Sequence, residues 1–237
     1  MEKAVYALWR DADCDREAFN EKLRGPIADQ ILAAGVRGLC INLVDRHVDR
    51  AKGLVQANSR PLMDAVVQIW FDCAHDEFRA PVDAILATAA PRVSAWLVTE
   101  SQPIRNMLHP PQPGERTEGF SELVFLTRPA HLTAEGWRDI WHRSHTRVAI
   151  DTQSTFEYIQ NTITRPLTYA APPYDAMIEE CFPVAAMDDP EAFYDARGNP
   201  EKFARNHAAM MESCHRFIDY KRIDVIPTSQ YVVKPLS

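Results

Sequence analysis

The sequence predicts an α+β fold made of two tandem β-α-β-β-α-β units. Three observations carry that expectation. The 237 residues divide almost in half at a proline-rich stretch, 101–119, which holds Pro103, Pro110, Pro111 and Pro113. The two sides share residues at a slowly drifting offset. Each side also runs through strand, helix, strand, strand, helix and strand in the same order.

The offset is read directly. At 118 residues Arg10 meets Arg128, Glu17 meets Glu135, Phe19 meets Trp137 and Leu23 meets Trp141. At 119, Asn42 meets Asn161, and at 111, Asp64-Ala65 meets Asp175-Ala176. A drift of this kind marks loops of unequal length in a diverged repeat.

In the first half, residues 4–10 read as a strand and 15–34 as a helix. Residues 36–45 and 65–71 follow as strands, 81–89 as a helix and 93–99 as a short strand. In the second half the strands are 121–127, 156–164, 175–184 and 223–233. Helices span 133–150, with Thr133 as N-cap, and 200–219, where Asn199-Pro200 suits a helix start. β-branched and aromatic residues concentrate in the strands.

A β-α-β-β-α-β unit is the ferredoxin-like arrangement. Two helices cover one face of its sheet, and the other face needs a partner. Two tandem ferredoxin-like units would cover each other, giving a pseudo-dimeric α+β barrel. The expected organisation is one unit at 1–100, a connector at 101–119 and a second unit at 120–237.

Composition removes several function classes. The chain has 8 glycines, and none are spaced for G-x-G-x-x-G or G-x-S-x-G. Gly114 and Gly119 have phosphate-loop spacing, but Phe120 follows where a lysine is needed. The 5 cysteines form no C-x-x-C, so zinc ribbons and disulfide scaffolds lack their ligand spacing. A net charge of −7 with dispersed basic residues argues against nucleic acid. No apolar run is long enough for a membrane span, and the N-terminus lacks a signal-peptide core. A cytoplasmic location is the default expectation.

The second half carries a recognisable pattern. Trp137, Trp141, His142 and His145 are followed by Tyr158-Ile-Gln160-Asn161 and then by Asp175-Ala-Met-Ile-Glu179. This resembles the EthD-type dimeric α/β-barrel family, with its Y-W-x-x-x-H helix, Y-V-Q-N strand and D-G-x-x-E strand. Ile140 replaces the tyrosine and Ala176 the glycine. The first half keeps the shape and loses the polar residues: Leu23, Ile27 and Gln68 stand for Trp141, His145 and Glu179. The resemblance implies enzymes that act on aromatic or polyketide substrates without an organic cofactor, as decarboxylases, cyclases, dehydratases or isomerases. Related barrels bind haem.

The repeat acts as an internal control. Trp137, Trp141, His145 and Val148 share one helix face. Where Ile27 stands in the first half, the second has His145, a group able to titrate near neutrality. The alternative is a core histidine bonded to a carbonyl. Tyr158 replaces Leu39, as proton donor or as packing ring. Glu179 and Glu180 replace Gln68 and Ile69, and adjacent strand residues face opposite sides, so at most one enters a given pocket. His142 lies one turn from His145, but that spacing alone is a weak metal signal.

The expected function is a cofactor-independent lyase on a small aromatic, phenolic substrate, with decarboxylation as first choice. His145 would be the general acid/base, with Tyr158, Glu179 and Glu180 catalytic. Trp137, Trp141, His142, Gln160, Asn161 and Asp175 would bind substrate. No metal and no cofactor are expected. The alternatives are a polyketide-type cyclase or dehydratase, a haem-binding barrel, or a non-catalytic binding protein. The repeat supplies two units within one chain, and a homodimer through another surface is allowed.

Overall fold

The computed structural model of the protein describes residues 1–236. Eight of its strands join into one closed antiparallel barrel. They are β1 (Glu2–Trp9), β2 (Gly38–Leu43), β4 (Ala65–Phe71), β5 (Arg92–Ile104), β6 (Phe120–Leu126), β7 (Glu157–Pro166), β8 (Ala176–Phe182) and β9 (Asp224–Lys234). A two-residue strand, β3 (Gln56–Ala57), adds to the side of β9. The order is β2-β4-β1-β5-β7-β8-β6-β9, and β9 pairs back onto β2.

This corrects the expected pair of ferredoxin-like units packed sheet against sheet. The strands of the two halves do not form separate sheets. β5 pairs with β7, setting Glu100 opposite Asn161. β2 pairs with β9, setting Asn42 opposite Gln230. Edge strands left open would expose unpaired backbone groups, and closure removes every such edge. The first half's edges therefore complete the second half's sheet through hydrogen bonds, not through packed faces alone.

Two further differences concern the joint and the helices. β5 runs on to Ile104, into the stretch expected to be a connector. Beyond it Thr117 is buried and bonds to Gln230. The first helix of each half is interrupted by a wide π-helical turn. In the first half α1 (Arg16–Lys22) passes through Leu23–Ile27 into α2 (Ala28–Ala33). In the second, α4 (Ala134–Asp139) passes through Ile140–His145 into α5 (Thr146–Thr152). The expected N-cap is in place, since Thr133 Oγ1 accepts from the Gly136 N–H at 3.1 Å.

Helix α3 (Asp76–Ala89) starts earlier than the 81–89 expected, with Pro81 inside it. The His75 ring nitrogen accepts from the Glu77 N–H and sets the earlier start. Near Phe193 a short helix, α6 (Pro190–Phe193), precedes the long α7 (Pro200–His215), which Asn199 caps. 3₁₀ geometry runs over the nine residues Arg46–Leu54 and again, for a single turn, at Val184–Met187.

Three larger apolar clusters organise these elements, beside a smaller one around Phe120, Phe182 and Phe193. One fills the space between the first-half strands and α1–α3, around Phe19, Leu23, Leu39, Ile69 and Leu86. A second lies between the second-half strands and α4, α5 and α7, around Trp137, Trp141, Tyr158 and Met210. The third occupies the barrel interior, around Trp9, Trp96, Phe125 and Met177. Further along the barrel the interior turns polar, with Asn42, Gln68, Ser121, Glu179 and Gln230 all buried.

Candidate active site

The clearest cavity lies outside the barrel wall, between the second-half strands and their helices. Its volume is about 470 Å³, in the range of small-molecule sites. Its walls are mostly apolar, with Val124, Ile178, Phe193, Met210 and Phe217 among them. The first half contributes Gly53, Leu54 and Gln56 at one side, brought there by the 3₁₀ segment. Under the first-half strands the equivalent space is filled by core side chains.

Register places three polar groups side by side on the cavity floor. Glu180 of β8 is directly opposite Glu122 of β6 and Tyr158 of β7. All three line the cavity and all are buried. The first half shows what these positions hold without a site: Ile69 is flanked by Ala4 and Leu39 in the same register. Three apolar core residues have become two carboxyls and a phenol.

Burial controls their chemistry. It pushes the Glu122 carboxyl up to about 7. Burial, with Glu122 adding repulsion, pushes Glu180 up to about 8. One Glu180 oxygen, Oε1, is buried without a hydrogen-bond partner among the described residues. Tyr158 is held neutral, its pKa raised by burial and by Glu180. Its hydroxyl oxygen accepts from Trp141 Nε1 at 3.2 Å and from Gln160 Nε2 at 3.4 Å. Both contacts are incoming, so the phenolic proton remains free to be donated to another acceptor.

His145 also lines the cavity. Its Nδ1 sits 3.0 Å from Ser213 Oγ, and the ring packs against Phe217 at 4.5 Å. Burial, with Arg216 nearby, lowers its pKa to about 4, so the ring is neutral at pH 7. The wide turn that carries it is stitched by Thr146, whose N–H and Oγ1 both donate to the Trp141 carbonyl. Thr146 Oγ1 in turn accepts from Gln160 Nε2 at 2.7 Å.

The structure brings His145, Tyr158 and Glu180 together on the cavity and places the other expected site residues elsewhere. Glu179 points into the barrel, where Asn42, Ser121, Gln230 and Gln68 all donate to it at 2.6–2.9 Å. Asn161 is fully buried, and its amide atoms lack partners among the described residues. Trp137 donates to the Phe217 carbonyl at 2.9 Å, and Trp141 and Gln160 position Tyr158 from behind. His142 stacks edge-on against Trp141, and burial lowers its pKa. Asp175 accepts from the Arg128 N–H at 2.7 Å, as Asp64 does from Arg10 at 3.0 Å. That duplicated clamp ties strand ends in both halves.

Glu122 was not among the residues expected from the sequence. The signal was available: the same offset that aligns Arg10 with Arg128 aligns Ala4 with Glu122. No cluster of three or more His, Cys, Asp or Glu suited to a metal occurs among the described residues. No helix among them is long and apolar enough to cross a membrane.

The fold and cavity define an α+β barrel with a small-molecule-sized pocket under one half. Residues 129–221 match the model of the EthD domain family. Among solved structures, an anthrone oxidase-like protein shares the fold with a TM-score of 0.55 at 9% identity, covering 100% of this chain and 94% of its own. A candidate monooxygenase from Lactobacillus acidophilus NCFM aligns with a TM-score of 0.50 at 10% identity, covering 98% of this chain and 96% of its own. A comparison with curated proteins finds no match.

Proposed function

We propose that the protein is an enzyme that removes a proton from carbon in a small, neutral, ring-bearing molecule. Glu180 takes the proton, and Tyr158 donates to the substrate oxygen on which charge builds. The observation that carries this reading is the adjacency of the two groups. A carboxyl with an unpartnered oxygen stands next to a phenol, and both line the same mostly apolar cavity.

The balance is simple. The C–H bond beside a carbonyl breaks, its proton passes to the Glu180 carboxylate, and its electron pair moves into an enolate. The enolate oxygen is stabilised by the Tyr158 O–H. A positioned base contributes about 10²–10⁴-fold, and a preorganised donor about 10²–10³-fold. His145, neutral and anchored on Ser213, serves as a hydrogen-bonding wall group, which moves the base role from the histidine to the glutamate.

Loss of water or ring closure follows from such an enolate. Decarboxylation, the first expectation from the sequence, requires a seat for a substrate carboxylate. No lysine or arginine among the described residues lines the cavity, and four carboxyls do: Glu122, Glu180, Asp188 and Asp189. Dehydration or cyclisation therefore takes its place as the reaction supported best. The test is hydrogen–deuterium exchange of a ring ketone such as 2-tetralone in D₂O. The protein should accelerate exchange at carbon next to the carbonyl, and Glu180→Gln should remove the acceleration. Equal acceleration by the variant would refute the assignment.

A further inference from the structure

We propose that Glu122 and Glu180 act as one hydrogen-bond acceptor that selects ligands carrying a hydroxyl on an apolar ring and turns away carboxylates and ammonium groups. The inference rests on the proton-transfer reading above and names the ligand class of the same cavity.

The geometry starts with the strand pair. Glu122 and Glu180 are directly opposed across β6 and β8, where side chains lie close enough to repel if both are charged. Both are buried and line the cavity, and Glu180 keeps one buried oxygen without a partner among the described residues. Two buried carboxyls at paired positions disfavour carrying two charges at once, so the pair is at most singly ionised near neutral pH.

The surroundings provide no cation for the pair. Two other acids line the cavity, Asp188 and Asp189. Each is already neutralised from outside, Asp188 by Arg50 at 2.7 Å and Asp189 by Arg197 at 2.9 Å. The remaining groups facing the glutamates are Tyr158, His145, Tyr194, Cys214 and Tyr220, all neutral at pH 7 by the upward or downward push of burial. A ligand carboxylate would bring a second negative charge into this space without a counter-ion.

An ammonium group fails for a different reason. It has three donors and no acceptor, so it has nothing to offer the Tyr158 proton, and it must shed its water in an apolar cavity. A hydroxyl meets both sides: it donates to the carboxyl pair and accepts from Tyr158. A phenol is also the stable likeness of the enol that the proposed reaction forms.

The experiment compares 2-naphthol, 2-naphthoate and 2-naphthylmethylammonium by calorimetry at pH 7. Wild-type protein should bind 2-naphthol at least about tenfold more tightly than either charged relative. In Glu122→Gln/Glu180→Gln the preference over 2-naphthoate should shrink to about threefold or less, because amides can donate to a carboxylate. Glu122→Ala/Glu180→Ile, which restores the first-half residues, should lose 2-naphthol binding while remaining folded by circular dichroism. Equal binding of the three probes by wild type, or an unchanged preference in the amide variant, would overturn the inference. A preference that persists in a protein without exchange activity overturns only the proposed function. Exchange activity without the preference overturns only this inference.

Discussion

Glu179 and Glu180 are neighbours in sequence and face opposite sides of the barrel wall. Glu179 enters the interior and accepts from four side chains, two from each half of the chain. Glu180 enters the cavity and leaves an oxygen unpartnered. Strand geometry alone produces this split, since side chains alternate across a sheet. It gives one carboxylate to the barrel interior and the other to the cavity.

That division predicts opposite outcomes for two adjacent substitutions. Glu179→Gln replaces an acceptor of four donors with a group that itself donates. It should cost about 3 kcal/mol or more and lower Tm by about 10 °C, with activity retained in the folded fraction. Glu180→Gln should leave Tm unchanged or higher and abolish activity. Thermal melts followed by circular dichroism, run beside the exchange assay, separate the two.

Replacing the site by its first-half counterparts should stabilise the protein. Ala4 and Ile69 occupy the positions of Glu122 and Glu180 and belong to a well-packed core. Glu122→Ala/Glu180→Ile removes two desolvated carboxyls, a gain of about 1–3 kcal/mol, at the expense of activity. A double variant less stable than wild type would mean that the carboxyls have partners that stabilise them.

The same carboxyls set a pH trend in stability. Their folded-state pKa values, about 7 and about 8, lie above the unfolded value of 4.5. Between those values the folded protein holds protons that the unfolded chain releases, so stability falls as pH rises through this window. His145 works on the acid side. Its folded value of about 4 lies below the model-peptide 6.5, so stability also falls as pH drops from 6.5 towards 4. Denaturation curves from pH 4 to 9 should show both limbs. Glu122→Gln/Glu180→Gln should flatten the alkaline limb alone.

Activity should follow the opposite trend on the alkaline side. Proton abstraction needs the carboxylate form, so kcat/KM should rise with pH across about 7 to 8, the range in which the pair ionises. His145→Asn should lower the rate by about tenfold or more without moving this limb. A limb near 6.5 that disappears in His145→Asn would return the base role to the histidine.

Parts of this arrangement were legible in the sequence. The places of the main strands along the chain followed from β-branched runs, and His145, Tyr158 and Glu180 stood out as polar residues at positions that are apolar in the first half. Closure of the barrel was not legible, because pairing between β5 and β7 and between β2 and β9 leaves no periodic trace. The wide turn at Ile140–His145 was hidden because the residue types there do not distinguish an i→i+5 turn from an ordinary helical one. Glu179 and Glu180 could not be separated because alternation says that they differ, not which one faces out. Glu122 was readable from the offset but lies outside the family pattern that directed attention to β7 and β8.

The central claim is that Glu180 removes a proton from carbon while Tyr158 holds the developing oxygen charge. Exchange of 2-tetralone protons in D₂O, followed by NMR, measures that step without requiring the natural substrate. Wild-type protein should accelerate exchange, with Glu180→Gln slower by about 10²-fold or more and Tyr158→Phe by about 10²-fold. Exchange at the wild-type rate in Glu180→Gln would contradict the account.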